Sequence, residues 1–130
     1  MKLADLVQSA DWKAEKHVPV IEAPDKVKAG EKVSVEICVG KEIAHPNTTE
    51  HHIRWIKLYF KPDNAKFPYE VANFEFAAHG ESTEGANKGP VYTEPVGKAV
   101  IKLSSAGTLV AEAYCNIHGL WEGSKAISVE

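Results

Sequence analysis

In residues 33–39 (VSVEICV), every second side chain is a branched aliphatic one, and the side chains between them are Ser34, Glu36 and Cys38. A period of two is typical of a β-strand with one buried face. Residues 51–60 (HHIRWIKLYF) are rich in aromatic and β-branched side chains and predict a second strand. We expect this strand to be buried on both sides, with Leu58 on one face and Ile53 and Trp55 on the other.

Further strand-like segments lie before and after these two, at residues 17–22, 67–77, 91–103, 108–115 and 127–129. The apolar phase shifts within residues 67–77, which predicts a bulge or bend there. Near the N-terminus, Leu3, Leu6 and Ala10 follow helical spacing, so we expect a short amphipathic helix that packs on a sheet. About seven strands without intervening helices predict an all-β fold, an antiparallel β-sandwich, in a single domain over residues 1–130.

The composition of the chain indicates a globular domain and argues against membrane and nucleic-acid partners. The chain of 130 residues is 44% hydrophobic and 25% charged, which is typical of a globular domain. No apolar run approaches the ~18 residues of a membrane span, and the N-terminus lacks the features of a signal peptide, so we expect a cytoplasmic protein without a membrane partner. The net charge of −3 and the single arginine, Arg54, argue against a nucleic-acid partner.

The two cysteines, Cys38 and Cys115, permit at most one disulfide. Since a cytoplasmic chain keeps its thiols reduced, a metal ligand or a core thiol is the better interpretation. Cys115 ends a predicted strand and His118 follows three residues later, so a thiolate and an imidazole can turn toward one ion, and Gly119 eases the bend. This pair is common by chance, so its interpretation depends on the other histidines.

Six histidines are unusual in a chain of this length. His45 and His51 flank a Pro-Asn-Thr turn, which can bring both imidazoles to one centre. On the strand that begins here, His51 and His52 point to opposite faces, so only one of them can reach that centre. We assign His51, and we expect His52 and His79 to be partly exposed or hydrogen-bonded side chains without a metal.

A third cluster consists of Glu15, Lys16 and His17. In an extended segment Glu15 and His17 share one face, so a carboxylate can approach an ion that His17 binds while Lys16 lies at the mouth of the site. The alternative is an ordinary solvated charge pair. Four histidines, one thiolate and an optional carboxylate are too many donors for a closed tetrahedral zinc site, and five or six ligands suit iron better.

The segments 15–20 (EKHVPV), 45–53 (HPNTTEHHI) and 115–122 (CNIHGLWE) resemble the signature segments of the superoxide reductases, the neelaredoxin type of the desulfoferrodoxin family. The resemblance implies an immunoglobulin-like sandwich and one mononuclear iron per chain, which alternates between ferrous and ferric. It also implies a role for each candidate ligand: equatorial His17, His45, His51 and His118, an axial Cys115 thiolate, and Glu15 as the sixth ligand of the ferric state. The two-iron members carry an additional N-terminal module with four cysteines, and because no cysteine precedes Cys38, we expect this chain to hold one iron.

The activity implied by the resemblance is the one-electron reduction of superoxide to hydrogen peroxide. Lys16 and Glu15 are then the catalytic residues, with Lys16 beside the open position. The resemblance further implies an external electron donor such as rubredoxin, and a homotetramer.

Two other interpretations remain open from the sequence. A β-sandwich with Cys-x-x-His near its C-terminus also describes cupredoxin-like electron-transfer proteins. A blue-copper site uses two histidines, a cysteine and an axial methionine, and the only methionine here is Met1. The second is a non-enzymatic sandwich that serves in adhesion or assembly, in which the histidine segments would be chance features of the surface without a function.

Overall fold

The computed structural model describes residues 1–130, which form eight strands in two sheets. The smaller sheet has the order β1-β3-β6, with β1 at Pro19–Glu22, β3 at Lys32–Val39 and β6 at Val96–Lys102. The larger sheet has the order β2-β8-β7-β4-β5, with β2 at Lys26–Val27, β4 at Ile53–Pro62, β5 at Tyr69–Glu75, β7 at Gly107–Cys115 and β8 at Gly119–Val129. Only the β2–β8 pair is parallel. The predicted all-β sandwich is confirmed.

The core lies between the two sheets and follows the two-residue period of the sequence. Alternate residues of β3 and β7 are buried, and Ile37, Ile56 and Leu109 have no exposed surface. Each fully buried aliphatic side chain of this size contributes about 1.5–3 kcal/mol relative to an exposed one. The hydrophobic alternation therefore both selects the strand conformation and holds the two sheets together.

Bulges change the face on which several side chains of β4 lie. The register of β4 against β7 shifts between Ile53 and Trp55, so Ile53 is buried with Ile56 in the core while Trp55 is only half-buried on the other face. The expectations that Ile53 shares a face with Trp55 and that both faces of this strand are buried are therefore wrong. A second shift lies between β4 and β5, where Leu58 pairs with Ala72 and Tyr59 with Glu70, and it confirms the irregularity predicted within residues 67–77.

The predicted N-terminal helix is reduced to a single 3-10 turn at Leu3–Asp5, and Leu3 is 60% exposed. The physical reason lies at Gln8, whose N–H donates to Leu120 O at 2.9 Å and whose carbonyl accepts from Glu122 N at 2.9 Å. This pairing requires an extended backbone at the edge of β8 and ends any helix before it. The structure contains no helix of the length and apolar character that a membrane crossing requires.

The final strand, β8, is much longer than the predicted strand at residues 127–129. Its central residues, among them Gly123 and Lys125, do not show the apolar alternation of a strand. Gly123 is nevertheless required here, because a Cβ at this position would lie 2.2 Å from the carbonyl oxygen of Pro19. The close approach of β1 to β8 thus explains why the sequence pattern fails in this strand.

The strands bring the three candidate segments to one end of the sandwich. His17 lies two residues before β1, the loop of residues 40–52 joins β3 to β4, and Cys115 is the last residue of β7. Cys115 lies opposite Ile53 on β4 and opposite Gly119 on β8. The end of β7 therefore fixes the position around which the histidines gather.

Candidate metal centre

Four of the predicted ligands form one cluster. The ligand atoms of His17, His45, His51 and Cys115 all lie within 4.8 Å of one another. Two donors that each lie 2.0–2.3 Å from a common ion are separated by at most about 4.6 Å. The 4.8 Å bound slightly exceeds this limit, so the four donors surround a space of nearly the size that a single ion requires.

His118 lies against the same cluster. Its Nδ1 atom is 3.1 Å from His17 Nε2, 3.2 Å from His51 Nε2 and 3.7 Å from Cys115 Sγ. Ring nitrogens at such distances place lone pairs opposite each other unless a proton or a cation lies between them. Unlike the other donors, His118 is exposed, so this side of the cluster faces solvent.

His45 provides the clearest evidence that the cluster suits a cation. Its Nδ1–H donates to the Pro46 carbonyl at 2.6 Å, which leaves the lone pair on Nε2. That Nε2 atom is buried and has no hydrogen-bond partner, an arrangement that costs free energy unless a ligand satisfies it. Burial lowers the pKa of His45 to about 4, so the imidazole is neutral and able to bind a metal at neutral pH.

Glu15 lies on the outer nitrogen of His17. Glu15 Oε1 accepts a hydrogen bond from His17 Nδ1–H at 2.7 Å, so the His17 Nε2 lone pair faces the cluster. Burial lowers the pKa of His17, and the hydrogen bond from His17 lowers the pKa of Glu15. A carboxylate in this position fixes the tautomer and orientation of a metal-binding imidazole. In this geometry Glu15 is not a member of the four-residue cluster, and its role as a sixth ligand stays a prediction.

Lys16 is half-buried and forms no salt bridge. Its positive charge contributes to lowering the pKa values of His17, His45 and His51. An ammonium whose field reaches all three imidazoles also reaches an anion that approaches them. The structure thus places an unpaired cation next to the cluster.

The Cys115 side chain is fully buried, whereas the hairpin that follows it turns outward. Gly119 has a φ of 82°, a left-handed conformation that glycine adopts without steric cost. The carbonyl of His118 accepts hydrogen bonds from Gln8 Nε2 and Trp121 Nε1, both at 3.1 Å. The N-terminal segment and β8 therefore hold the turn that carries His118.

His51 is held by its own loop, while His52 faces away from the cluster. His51 N–H donates to Thr48 Oγ1 at 3.1 Å, and His52 Nδ1–H donates to the Thr48 carbonyl at 2.9 Å. The His52 ring stacks on His79 with a centroid separation of 3.5 Å and an interplanar angle of 5°. Both rings are buried and hydrogen-bonded, which is the second of the two environments expected for them.

Two asparagines contact the segments that carry the candidate ligands, and the sequence did not predict these contacts. Asn116 Oδ1 accepts from His52 N and Asn116 Nδ2 donates to the Glu50 carbonyl, both at 2.8 Å. Asn87 has a φ of 61° and contacts the loop that carries His45 and His51. A single asparagine within the Gly-rich segment 79–90 is a weak signal for such a conformation, because asparagine tolerates the left-handed region better than most residues.

Comparison with known proteins gives a consistent result. Residues 9–124 match the desulfoferrodoxin family. The chain is 58% identical over 130 residues to neelaredoxin from Megalodesulfovibrio gigas, with both chains fully covered. It is 56% identical over 120 residues to a superoxide reductase from Pyrococcus furiosus, covering 92% of this chain and 94% of that protein.

A solved structure extends the similarity from sequence to fold. Superoxide reductase (neelaredoxin) from Archaeoglobus fulgidus, in the reduced form, superposes with a TM-score of 0.88 at 56% identity. The alignment covers 95% of this chain and 98% of that chain. Together with the match over residues 9–124, these similarities establish that the chain belongs to the desulfoferrodoxin family.

Proposed function

We propose that this chain is a superoxide reductase, which converts superoxide, one electron and two protons into hydrogen peroxide. The observation that carries this proposal is the convergence of four imidazoles and one buried thiol, with His45 Nε2 buried and unpartnered among them. Identity above 50% to proteins named superoxide reductase or neelaredoxin, over most of the chain, supports it.

We infer that the centre holds one iron ion per chain through His17, His45, His51, His118 and Cys115. Iron bound there supplies the electron for superoxide reduction and is returned to the ferrous state by an external donor. Four imidazoles and a thiolate exceed the donors of a closed tetrahedral zinc site. The number of donors, four imidazoles and one thiolate, is the observation in favour of iron.

The residues around the centre keep the imidazole nitrogens able to bind a metal and fix the orientation of two of the rings. Burial lowers the pKa values of His17, His45 and His51, which favours the neutral form with a lone pair available to a metal. The Pro46 carbonyl and the Glu15 carboxylate hold the outer nitrogens of His45 and His17. Because Cys115 is buried and His118 is exposed, the substrate approaches from the side of His118.

Lys16 and Glu15 are the residues that we place beside the reacting anion. The Lys16 ammonium attracts superoxide to the mouth of the site. Glu15 becomes a ligand of ferric iron only if its carboxylate leaves His17 Nδ1, from which it is separated by 2.7 Å. Glu15→Ala should therefore retain iron, because five stronger donors remain, while shifting the optical spectrum of the oxidised protein. Loss of iron comparable to that in His51→Ala would contradict this role.

The experiment that tests the proposed function combines metal analysis with product analysis. We expect one iron per chain and an optical band from thiolate-to-iron charge transfer in the oxidised protein. Superoxide should be consumed with one hydrogen peroxide formed per superoxide and no dioxygen released, when a reductant is present. Release of dioxygen, or the absence of iron from protein expressed with adequate iron, would overturn the proposal.

The structure does not favour the cupredoxin-like alternative. A blue-copper site needs a weak axial ligand such as methionine, and Met1 is fully exposed at the N-terminus. Two imidazoles of the cluster would also be left without a role. A sandwich for adhesion or assembly does not account for the buried, unpartnered His45 nitrogen.

We further propose a small electron carrier such as rubredoxin as the donor, and a homotetrameric assembly. Exposed Ile117, next to His118 in the chain, offers an apolar contact near the solvent-facing ligand. Light scattering in solution tests the tetramer. Superoxide-dependent oxidation of reduced rubredoxin in the presence of this protein tests the donor, and a rate equal to that without the protein would exclude it.

A further inference from the structure

Asn87 is the only residue other than glycine with a positive φ, at 61°. It lies in the connection between β5 and β6, outside all three segments that carry the candidate ligands. A non-glycine residue keeps this conformation when surrounding contacts hold it, and such residues cluster at functional sites. The contacts of Asn87 therefore indicate what the conformation serves.

Three hydrogen bonds of Asn87 reach the loop that carries His45 and His51. Asn87 Oδ1 accepts from Thr49 N at 2.8 Å, and Asn87 Nδ2 donates to Glu50 Oε2 at 2.7 Å. Asn87 N–H donates to Thr49 Oγ1 at 3.1 Å. A left-handed backbone lets the main-chain N–H and the side-chain amide face the same two residues.

The loop between β3 and β4 needs support from outside. Residues 40–52 contain no strand or helix, and they carry two of the five candidate ligands. Thr49 and Glu50 directly precede His51, so a contact at these two positions limits the movement of the His51 backbone. Glu50 is exposed, and its carboxylate accepts a hydrogen bond from the Asn87 amide.

The position of Asn87 is itself fixed by its neighbours. Tyr92 Oη–H donates to the Asn87 carbonyl at 2.9 Å, and Thr49 Oγ1–H donates to the His79 carbonyl at 2.6 Å. The Tyr92 ring lies so close to Gly80 that a Cβ there would be 2.4 Å from it. The connection between β5 and β6 is thus a rigid support for the histidine loop.

We propose that Asn87 is a positioning residue of the metal centre, which sets the place of the His51 imidazole by holding Thr49 and Glu50. The proposal rests on the proposed function, because it requires that the cluster binds a metal ion. Partners that orient metal ligands from outside typically account for 10–100-fold in metal affinity. We expect a value near the lower end, about tenfold, because Asn87 acts through the backbone next to His51.

The variant Asn87→Gly tests this assignment, because glycine keeps the left-handed backbone and removes only the side-chain amide. We expect iron release to a chelator to be about tenfold faster and the thiolate-to-iron band to shift. Asn64→Gly is the matched control, since Asn64 is exposed and its side chain makes no hydrogen bond. Release rates and spectra of Asn87→Gly equal to those of the control would overturn the proposal.

A rescue experiment separates positioning from a general loss of stability. Asn87→Asp places a second carboxylate beside Glu50 and should release iron faster than Asn87→Gly. Adding Glu50→Gln to Asn87→Asp restores a donor and an acceptor with reversed roles, so release and spectrum should return toward those of the unaltered protein. A double variant that releases iron as fast as Asn87→Asp alone would overturn the proposal.

The same measurements distinguish this proposal from the proposed function. If the unaltered protein binds no iron and shows no thiolate-to-iron band, the proposed function fails, and the positioning role fails with it. If the unaltered protein binds iron and reduces superoxide while Asn87→Gly behaves as Asn64→Gly does, only the positioning role fails. A Co²⁺ titration followed by its sulfur-to-metal band gives a second readout that does not depend on superoxide.

Discussion

At the scale of single residues, the centre combines one donor from the core with donors that loops hold in place. Cys115 is buried at the end of a strand. His17 and His45 are each oriented by a hydrogen bond on the outer ring nitrogen. An imidazole held in this way presents its lone pair without the entropy cost of ordering the ring when an ion binds. These differences in environment lead to two predictions.

The first prediction concerns the two cysteines. Cys115→Ser should abolish the thiolate-to-iron colour and most of the turnover, because serine is a poorer donor than a thiolate. Cys38 is half-buried on β3 and is not part of the cluster, so Cys38→Ser should change neither property. Optical spectra and superoxide consumption at matched iron content provide the measurement. Loss of the colour in Cys38→Ser would mean that the sulfur ligand has been assigned to the wrong residue.

The second prediction concerns acid and the metal-free protein. The pKa of His45 falls from 6.5 to about 4 on folding because of burial, so unfolding takes up a proton between these values. Stability is then complete above about pH 6.5 and decreases as the pH falls toward 4, by about 2–3 kcal/mol. The lowered pKa values of His17 and His51 act in the same direction.

Denaturant unfolding of the metal-free protein at several pH values measures this loss. His45→Asn removes the titrating group, so its free energy of unfolding should depend less on pH between 4 and 6.5 than that of the unaltered protein. Equal pH dependence in both proteins would show that His45 is not a neutral buried imidazole.

At the scale of secondary-structure elements, regular strands could be predicted from the sequence and irregular ones could not. In β3 and β7 every second side chain is apolar because one face of each strand is buried, so the sequence predicts both strands. The prediction of an N-terminal helix was wrong, because the backbone pairing of Gln8 with β8 outweighs the helical periodicity of this segment. Likewise, the bulge between Ile53 and Trp55 depends on the neighbouring strand β7.

The candidate ligands could be chosen from the sequence, since they lie in short segments with recognisable chemistry. The convergence of His17 with Cys115 could be inferred only through the resemblance, because spacing along the chain carries no information on distances between segments. The position of Glu15 on His17, and the contacts of Asn87, depend on side-chain geometry. No sequence pattern specifies that geometry.

The third prediction tests the contact between β1 and β8. In Gly123→Ala the new Cβ would lie 2.2 Å from the Pro19 carbonyl oxygen, so the strands must separate. We expect a loss of stability of about 1–3 kcal/mol and weaker iron binding, because His17 lies only two residues before β1. Chemical denaturation and chelator competition measure the two effects. Ser124→Ala, at the neighbouring exposed position, is the control, and equal stability of the two variants would contradict the close contact.

At the scale of the whole molecule, the net charge of −3 repels an anionic substrate, and Lys16 opposes that field locally. For an ammonium about 6 Å from the anion, the attraction is roughly 0.7 kcal/mol in water and roughly 2.8 kcal/mol at an effective dielectric constant of 20. The fourth prediction is therefore that Lys16→Ala slows the second-order reaction with superoxide by about tenfold.

Salt provides the control for this prediction. Because Lys16 is no longer present in the variant, added salt should slow the unaltered protein more than it slows Lys16→Ala. Pulse radiolysis at matched iron content measures both rates. Equal salt dependence of the two proteins would show that Lys16 does not guide the substrate.

The donors of the centre are distant in the sequence, with His17 and His118 separated by 101 positions. Bringing such remote segments together is a late and slow event in folding, because the chain must first close large loops. No local fragment of the chain contains the complete ligand set, so a nascent chain has no high-affinity place for iron until both sheets have met. We therefore expect iron to bind only after folding is complete, and a bound ion to lengthen the lifetime of the native state by slowing unfolding without accelerating folding.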